Sequence, residues 1–307
     1  MTKNTKKNDT ALIGCGYWGT NIAKVLTKIK KNKIIIYDEN RSNSIILNKR
    51  FPDQTIISKS LKNILHDKNT KNIILATPPE KNYQLLKKCI ENKKKILVEK
   101  PATLNFEEAI NLKKTLENKN LFFAEGFMYR YDPLIKRMID LIKKHEIGDL
   151  LSLETSFGVN LLTKKKFIFF TKNKKIDENS RQFNKKLGGG CILDLGCYPT
   201  SLTILISSLI KNMNYNNPRV KVVEREIGET GVDVHAKAQI IYDNGFVSEV
   251  KASFKEETEN NTIIKGKKGE ILIKNTFTGI DEIKVNLGNK NYNINKQSNK
   301  NIYSLEI

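Results

Sequence analysis

Three glycines in the run Gly14-Cys15-Gly16-Tyr17-Trp18-Gly19 have the spacing that lets a backbone cradle a pyrophosphate. Gly14 permits the tight turn, Gly16 lets the chain approach the phosphates, and Gly19 allows a helix to pack closely on a strand. The anion would rest on the exposed N–H groups of the helix that follows. An apolar run, Ala11–Ile13, precedes the loop, and a helical stretch from Asn21 to about Lys28 follows it. Asp38 ends the next apolar run, nineteen positions past Gly19. A carboxylate there accepts hydrogen bonds from the adenosine ribose and repels a 2′-phosphate, which favours NAD over NADP. Arg41 keeps NADP possible, because a guanidinium accommodates that phosphate, and a plain turn residue is the other reading of Asp38.

Two later loops carry chemistry of the same kind. Ala76-Thr77-Pro78-Pro79 and Glu99-Lys100-Pro101 each follow a short apolar run. In open parallel sheets ligands bind outside the carboxyl ends of the strands, where both loops fall. Packing alone gives little reason for a Lys-Pro pair just after a buried strand, and the peptide before Pro101 is a candidate for the cis form.

The elements needed to position these residues are legible. Strands are expected at Ala11–Ile13, Ile34–Tyr37, Ile73–Ala76 and Ile96–Val98, with a weaker one at Thr55–Ile57. Their near-continuous apolar character suits strands buried on both faces. Alternation with helix-like stretches predicts a parallel sheet covered by helices. Asn105 followed by Glu108 predicts a capping box.

After Arg130 the pattern changes. Asp132-Pro133 predicts the cap and first residue of an amphipathic helix running through Ile142 and stopping near Gly148. Strand-like runs then dominate: Leu150–Phe157, Val220–Ile227, Val234–Tyr242, Phe246–Phe254, Thr262–Ile264, Glu270–Ile273 and Ile283–Leu287. Asp243-Asn244-Gly245 is a hairpin signal. The expected fold is α/β, a doubly wound Rossmann domain over residues 1–125, followed by an α+β domain over 126–307 with a mostly antiparallel sheet and helices on one face. The lysine-rich segment Lys164–Lys186 reads as an insertion-like loop, either a lid or a solvated excursion.

Bulk composition narrows the function classes. The chain has 307 residues, 39% hydrophobic, enough for two cores. Its net charge of +21 raises nucleic-acid binding as a class, but the lysines spread along the whole chain without a clustered stripe or aromatic platforms between them. A solvated basic surface is the preferred reading. Cys15, Cys89, Cys191 and Cys197 form no C-x-x-C pair, and His66, His145 and His235 have no metal-ligand spacing, so no metal site is expected. The stretch Ile192 to Ile210 contains Asp194 and Pro199 and no uninterrupted bilayer-spanning run. The polar start carries no secretory pattern, and a cytoplasmic protein without membrane partners is expected.

Taken together, the glycine loop, Ala76-Thr77-Pro78, Glu99-Lys100-Pro101 and the run from Gly188 to Pro199 resemble the Gfo/Idh/MocA oxidoreductases over nearly the whole chain. The stretch Glu125-Gly126-Phe127-Met128-Tyr129-Arg130, and Tyr198 where many members carry histidine, are most similar to the branch with dimeric dihydrodiol dehydrogenase and sugar dehydrogenases. The resemblance implies that Lys100 and Tyr198 face a substrate with Asp194 beside them, and that Glu99 contacts the nicotinamide ribose. It also implies cofactor contacts at Gly14, Gly16, Tyr17, Trp18, Gly19, Asp38, Thr77 and Pro78, a sugar or polyol substrate, and a homodimer or homotetramer.

The chemistry is coherent. A free tyrosine has a pKa of about 10 and is a poor base near neutrality. A neighbouring ammonium such as Lys100 favours the phenolate, so Tyr198 could take or return the proton of a carbinol. The alternative makes Tyr198 a buried aromatic with a locally satisfied hydroxyl. Arg130 either binds substrate or pairs with a carboxylate. If Asp194 and Tyr198 begin a helix, their spacing puts them on one face. Two departures stand out: Asn82 lies where many relatives have histidine, which is expected to alter the cofactor contacts, and this chain stops at a stretch like Tyr303–Ile307, from which relatives continue into a final helix that it is expected to lack. A Rossmann domain does not by itself establish catalysis, so a non-catalytic NAD(P)-binding sensor is the competing class.

Overall fold

Short runs of isoleucine, leucine and valine build a six-stranded parallel sheet because their alternate residues find apolar partners on opposite faces. The computed structural model describes residues 8–167, 170–214, 217–288, 290–297 and 302–307. The strands are β1 (Thr10–Ile13), β2 (Ile34–Tyr37), β3 (Thr55–Ile57), β4 (Asn72–Leu75), β5 (Lys95–Glu99) and β6 (Phe123–Gly126). They lie in the order β3-β2-β1-β4-β5-β6. Ala11, Ile13, Ile73, Leu75, Ile96 and Val98 enter one core, while Leu12, Ile34, Ile36 and Ile74 enter another. Helices α1 (Tyr17–Ile29), α2 (Arg41–Arg50), α3 (Leu61–His66), α4 (Pro79–Glu91) and α5 (Phe106–Glu117) connect the strands. The strand order reverses between β1 and β4, the switch point at which such sheets bind ligands.

Several local expectations are refined. Helix α1 begins at Tyr17, four residues before the expected Asn21, so Tyr17 and Trp18 belong to its first turn. Asn105 does cap α5, accepting from the Glu108 N–H at 2.9 Å. The Glu108 carboxylate, however, accepts from Leu104 N at 3.1 Å, outside the expected box. Strand β6 was not anticipated, since Phe-Ala-Glu-Gly has no apolar alternation.

The chain forms two compact units: Met1–Gly126 with Glu306–Ile307, and Phe127–Leu305. In the second, Asp132 Oδ1 accepts from Leu134 N at 2.9 Å and starts α6 (Pro133–Lys143). Strand β7 (Leu150–Gly158) follows. The expected loop after it corrects to a small hairpin, β8 (Thr163–Phe167) with β9 (Phe170–Asn173), and two 3-10 turns at Arg181–Phe183 and Lys185–Leu187. Ile168 and Phe169 of that stretch lie outside the described residues.

Helix α7 (Cys197–Ser207) continues a π-helical turn, Ile192–Gly196. Strands β10 (Arg219–Ile227), β11 (Asp233–Ile241), β12 (Val247–Ser253), β13 (Thr262–Gly266), β14 (Gly269–Ile273), β15 (Glu282–Leu287) and β16 (Lys290–Asn295) complete an eight-stranded sheet. Its order is β10-β11-β12-β7-β13-β14-β15-β16, antiparallel except where β12 meets β7. Strands β11 and β12 are joined at Asp243-Asn244-Gly245, where Gly245 has φ +86°. The short helix α8 (Tyr303–Glu306) precedes the last residue. Among the described residues, one helical stretch, Lys185–Ser207, is long and apolar enough to cross a membrane by length and composition. Half of its most apolar part is buried within the protein, Cys191, Leu195, Leu202 and Ile206 among it.

Candidate dinucleotide and substrate sites

The three loop glycines answer to different demands. Gly14 has φ +94°, and a Cβ there would lie 2.4 Å from Ala76 O. A Cβ on Gly19 would lie 1.9 Å from Gly14 O, so α1 can sit this close only with a glycine. A Cβ on Gly16 would meet nothing within 4 Å. The fold therefore needs the first and third glycines, while the second fronts open space. Helix α1 has no side-chain cap and no acid in its first turn. Its positive end therefore meets no capping side chain and no carboxylate of its own first turn, a setting that favours an anion. Tyr17 (78% exposed) and Trp18 (43%) meet edge to face beside it.

Asp38 directly follows β2 and ties the region together. Its two carboxylate oxygens accept from Cys15 N at 2.7 Å and Asn40 N at 2.8 Å. It is thus a turn residue and an anchor for the glycine loop, and each oxygen keeps a further lone pair. Arg41 opens α2, which Asn40 caps. Glu39 beside it is paired with Lys81.

At the ends of β4 and β5 the expected residues are bound into one network. Pro78 stands at the cap position of α4, and the Lys100–Pro101 peptide is cis. Thr77 Oγ1 donates to Asn82 Oδ1 at 2.8 Å. Asn82 Nδ2 donates to Pro101 O at 3.1 Å and reaches Glu99 O at 3.4 Å. Glu125, on β6, accepts from Ala102 N at 2.8 Å. Burial pushes the Glu99 carboxyl up to about 7 against the pull of the Lys100 ammonium. Glu125 is raised for the same reason, again opposed by Lys100. Burial and the neighbouring Glu99 lift Glu306 to about 8.

In the second unit the glycine-rich run delivers Asp194 and Tyr198. Gly190 has φ +112°, and a Cβ there would lie 2.5 Å from Asp233 Oδ1. The other Asp233 oxygen accepts from Ile192 N at 2.7 Å, anchoring the π turn. Asp194 lies in that turn and α7 starts after it, so the expected single α-helical face gives way to a wider local winding. Such π turns recur at functional sites. Arg181 Nη2 donates to Asp194 Oδ1 at 2.7 Å. Tyr198 is 5% exposed, and its hydroxyl donates to Met128 Sδ at 3.5 Å. Phe127 and Phe157 pack edge to face on its ring. Arg130 is exposed on a 3-10 turn, Met128–Tyr131.

The first unit thus brings Gly14, Gly16, Tyr17, Trp18, Gly19, Asp38, Thr77, Pro78, Glu99 and Lys100 to strand ends of one sheet, and the second carries Arg130, Asp194 and Tyr198. Sequence reasoning assigned no role to Arg181 or Asp233, marked Asn82 only as a departure that bears on cofactor contacts, and placed Glu125 only within a resembling stretch. Asn82 did leave a signal: it heads the apolar row Leu85, Leu86, Cys89 and Ile90 of α4, where a polar residue is out of place. Among the described residues no group of three or more His, Cys, Asp or Glu could hold a metal ion.

A glycine loop at the switch point of a parallel sheet, with an open-fronted middle glycine and an uncapped helix behind it, fits a dinucleotide and defines a Rossmann nucleotide-binding domain. Residues 9–127 match the family described as an oxidoreductase family with an NAD-binding Rossmann fold, and residues 135–272 match that family's C-terminal domain. The chain belongs to the Gfo/Idh/MocA oxidoreductase family.

Among relatives, a trans-1,2-dihydrobenzene-1,2-diol dehydrogenase of Xenopus tropicalis is 27% identical over 67% of this chain, a match spanning only 56% of that protein's length. A glucose-6-phosphate 3-dehydrogenase of Bacillus subtilis is 27% identical over 83% of this chain and 75% of its own. A 3-ketoreductase of Actinomadura kijaniata, solved with NADP and TDP-benzene, superposes with a TM-score of 0.77 at 16% identity, covering 98% of this chain and 87% of that one. At that identity the superposition speaks for the fold alone.

Proposed function

We propose that this protein transfers a hydride between a nicotinamide dinucleotide and a carbinol or ketone of a sugar, polyol or dihydrodiol. The observation that carries this reading is the glycine loop, whose Gly16 fronts open space beside the uncapped start of α1. When bound, the dinucleotide supplies the redox chemistry; the chain must bind it, orient it and manage one proton. Gly14, Gly16 and Gly19 shape the loop, Tyr17 and Trp18 flank it, and Thr77, Pro78 and Glu99 front the cofactor from the ends of β4 and β5. Asp38 favours NAD over NADP, and tighter binding of NADPH would instead assign the ribose end to Arg41.

Tyr198 takes the carbinol proton on oxidation and returns it on reduction, with Lys100 favouring the phenolate. Asp194, held by Arg181, orients the substrate with Arg130. The relatives named for a dihydrodiol and for glucose 6-phosphate support a sugar-like substrate. A homodimer or homotetramer accords with exposed Val220, Val222, Val223 and Ile227 on β10, and sedimentation velocity tests it. Four free cysteines suit the reducing cytoplasm, which cell fractionation tests.

The seat of Tyr198 among aromatic rings, with its hydroxyl on Met128, also fits a non-catalytic NAD(P)-binding sensor. Titration with NADH and NADPH, followed by a sugar and polyol screen with Lys100→Ala and Tyr198→Phe, separates the readings. An enzyme turns over a substrate and loses this in both variants while still binding cofactor. A sensor binds cofactor without turnover, and a folded chain that binds neither cofactor defeats both readings.

A further inference from the structure

We propose that Asn82 is a positioning residue that locks the two cofactor-facing strand-end loops of the first unit into one piece, an inference that rests on the dinucleotide-binding reading above. Its single side-chain amide spans both loops. The oxygen accepts from Thr77 Oγ1 at 2.8 Å, and the nitrogen donates to Pro101 O at 3.1 Å and reaches Glu99 O at 3.4 Å. The two carbonyls stand on either side of Lys100, so the amide holds the backbone from which the Lys100 side chain departs. Glu125 accepts from the next N–H, that of Ala102, at 2.8 Å.

Three features make Asn82 the keystone of that arrangement. It is fully buried, so water cannot replace its hydrogen bonds. It lies on the first turn of α4, and Leu85, Leu86, Cys89 and Ile90 hold the same face of that helix in the core. The amide's bonds therefore act from a rigid support. Finally, the task needs an acceptor and a donor on one short side chain. Aspartate keeps the acceptor for Thr77 but turns a carboxylate toward two carbonyl oxygens. Leucine has the same heavy-atom branching as asparagine and makes none of the bonds. Histidine offers one N–H and one acceptor nitrogen and can keep a bond to each loop.

The test measures NADH and NADPH dissociation constants by fluorescence for wild type, Asn82→Asp, Asn82→Leu and Asn82→His, with a melting curve and near-ultraviolet dichroism for each. Asn82→Asp and Asn82→Leu are expected to weaken both cofactors by about tenfold or more, the cost of stranding buried polar groups. Asn82→His is expected to recover most of the affinity. The Asn82→Asp defect is expected to shrink from pH 8 toward pH 5, where a protonated carboxyl regains a donor. Loss of fold alone would track the melting temperature and show no such rescue. Asn82→Leu guards against an aspartate variant that fails to fold, because its apolar side chain suits the core. Wild-type affinity in folded Asn82→Leu would overturn the positioning role and leave the dinucleotide reading intact. A wild-type protein that binds neither cofactor would remove that reading and this inference together.

Discussion

A methyl group added at Gly16 enters open space, and the same group added at Gly19 collides with the Gly14 carbonyl. Gly16→Ala is therefore expected to melt with wild type but to bind NADH and NADPH at least about tenfold more weakly, since its methyl occupies the phosphate approach. Gly19→Ala is expected to lose about 1–3 kcal/mol of stability in urea unfolding, the usual cost of overpacking.

The Glu99 carboxyl is raised from 4.5 to about 7 by burial, so folding favours the protonated form. That contribution is fully present below about 4.5 and is lost as pH rises through about 7. Without cofactor, Glu99→Gln should match wild type below pH 4.5 and melt higher at pH 8. A constant difference across that range would contradict the assignment.

Buried ion pairs and caps set the elements. Asp132 starts α6 and is 1% exposed at its side chain, where Lys296 meets it at 2.9 Å. Lys296→Met leaves that carboxylate buried without its cation, and a loss of about 3–5 kcal/mol in urea unfolding is expected. The double variant Asp132→Asn with Lys296→Met should recover part of it, because asparagine also caps helices.

Arg181 holds Asp194, and Asp233 anchors the π turn that carries it. Once a substrate is found, Arg181→Met should raise KM while cofactor affinity stays as in wild type. An unchanged KM would remove Asp194 and Arg181 from the substrate site.

At the scale of the whole molecule, a net charge of +21 spread over 307 residues supplies diffuse attraction to any polyanion. Binding to duplex DNA is expected to be weak, indifferent to sequence, and largely lost between about 50 and 200 mM salt, as counterion release requires. Tight binding that survives the higher salt would revive the nucleic-acid class.

Much of the fold was legible because backbone hydrogen bonding and burial impose short periods. Ala11, Ile13, Ile73 and Leu75 serve one core, and Leu12 and Ile74 the other, as a strand buried on both faces demands. The glycine loop, the Asp132 cap and the Asp243–Gly245 turn were equally plain, since each is written in neighbouring residues. Strands β6 and β16 were not. Phe-Ala-Glu-Gly and Lys-Asn-Tyr-Asn-Ile-Asn lack strand composition and pair because β5 and β15 present open edges.

The sequence by itself thus determined the glycine loop, the parallel sheet at whose switch point it sits, the antiparallel second sheet and the family, all of which rest on local residue order. Only the tertiary structure decided who holds whom: Asn82 across Thr77 and Pro101, Glu125 on Ala102, Arg181 on Asp194, Lys296 on Asp132. Burial strips water from these groups, and each must then take whatever partner the fold brings within about 3 Å, however far apart the two stand along the chain.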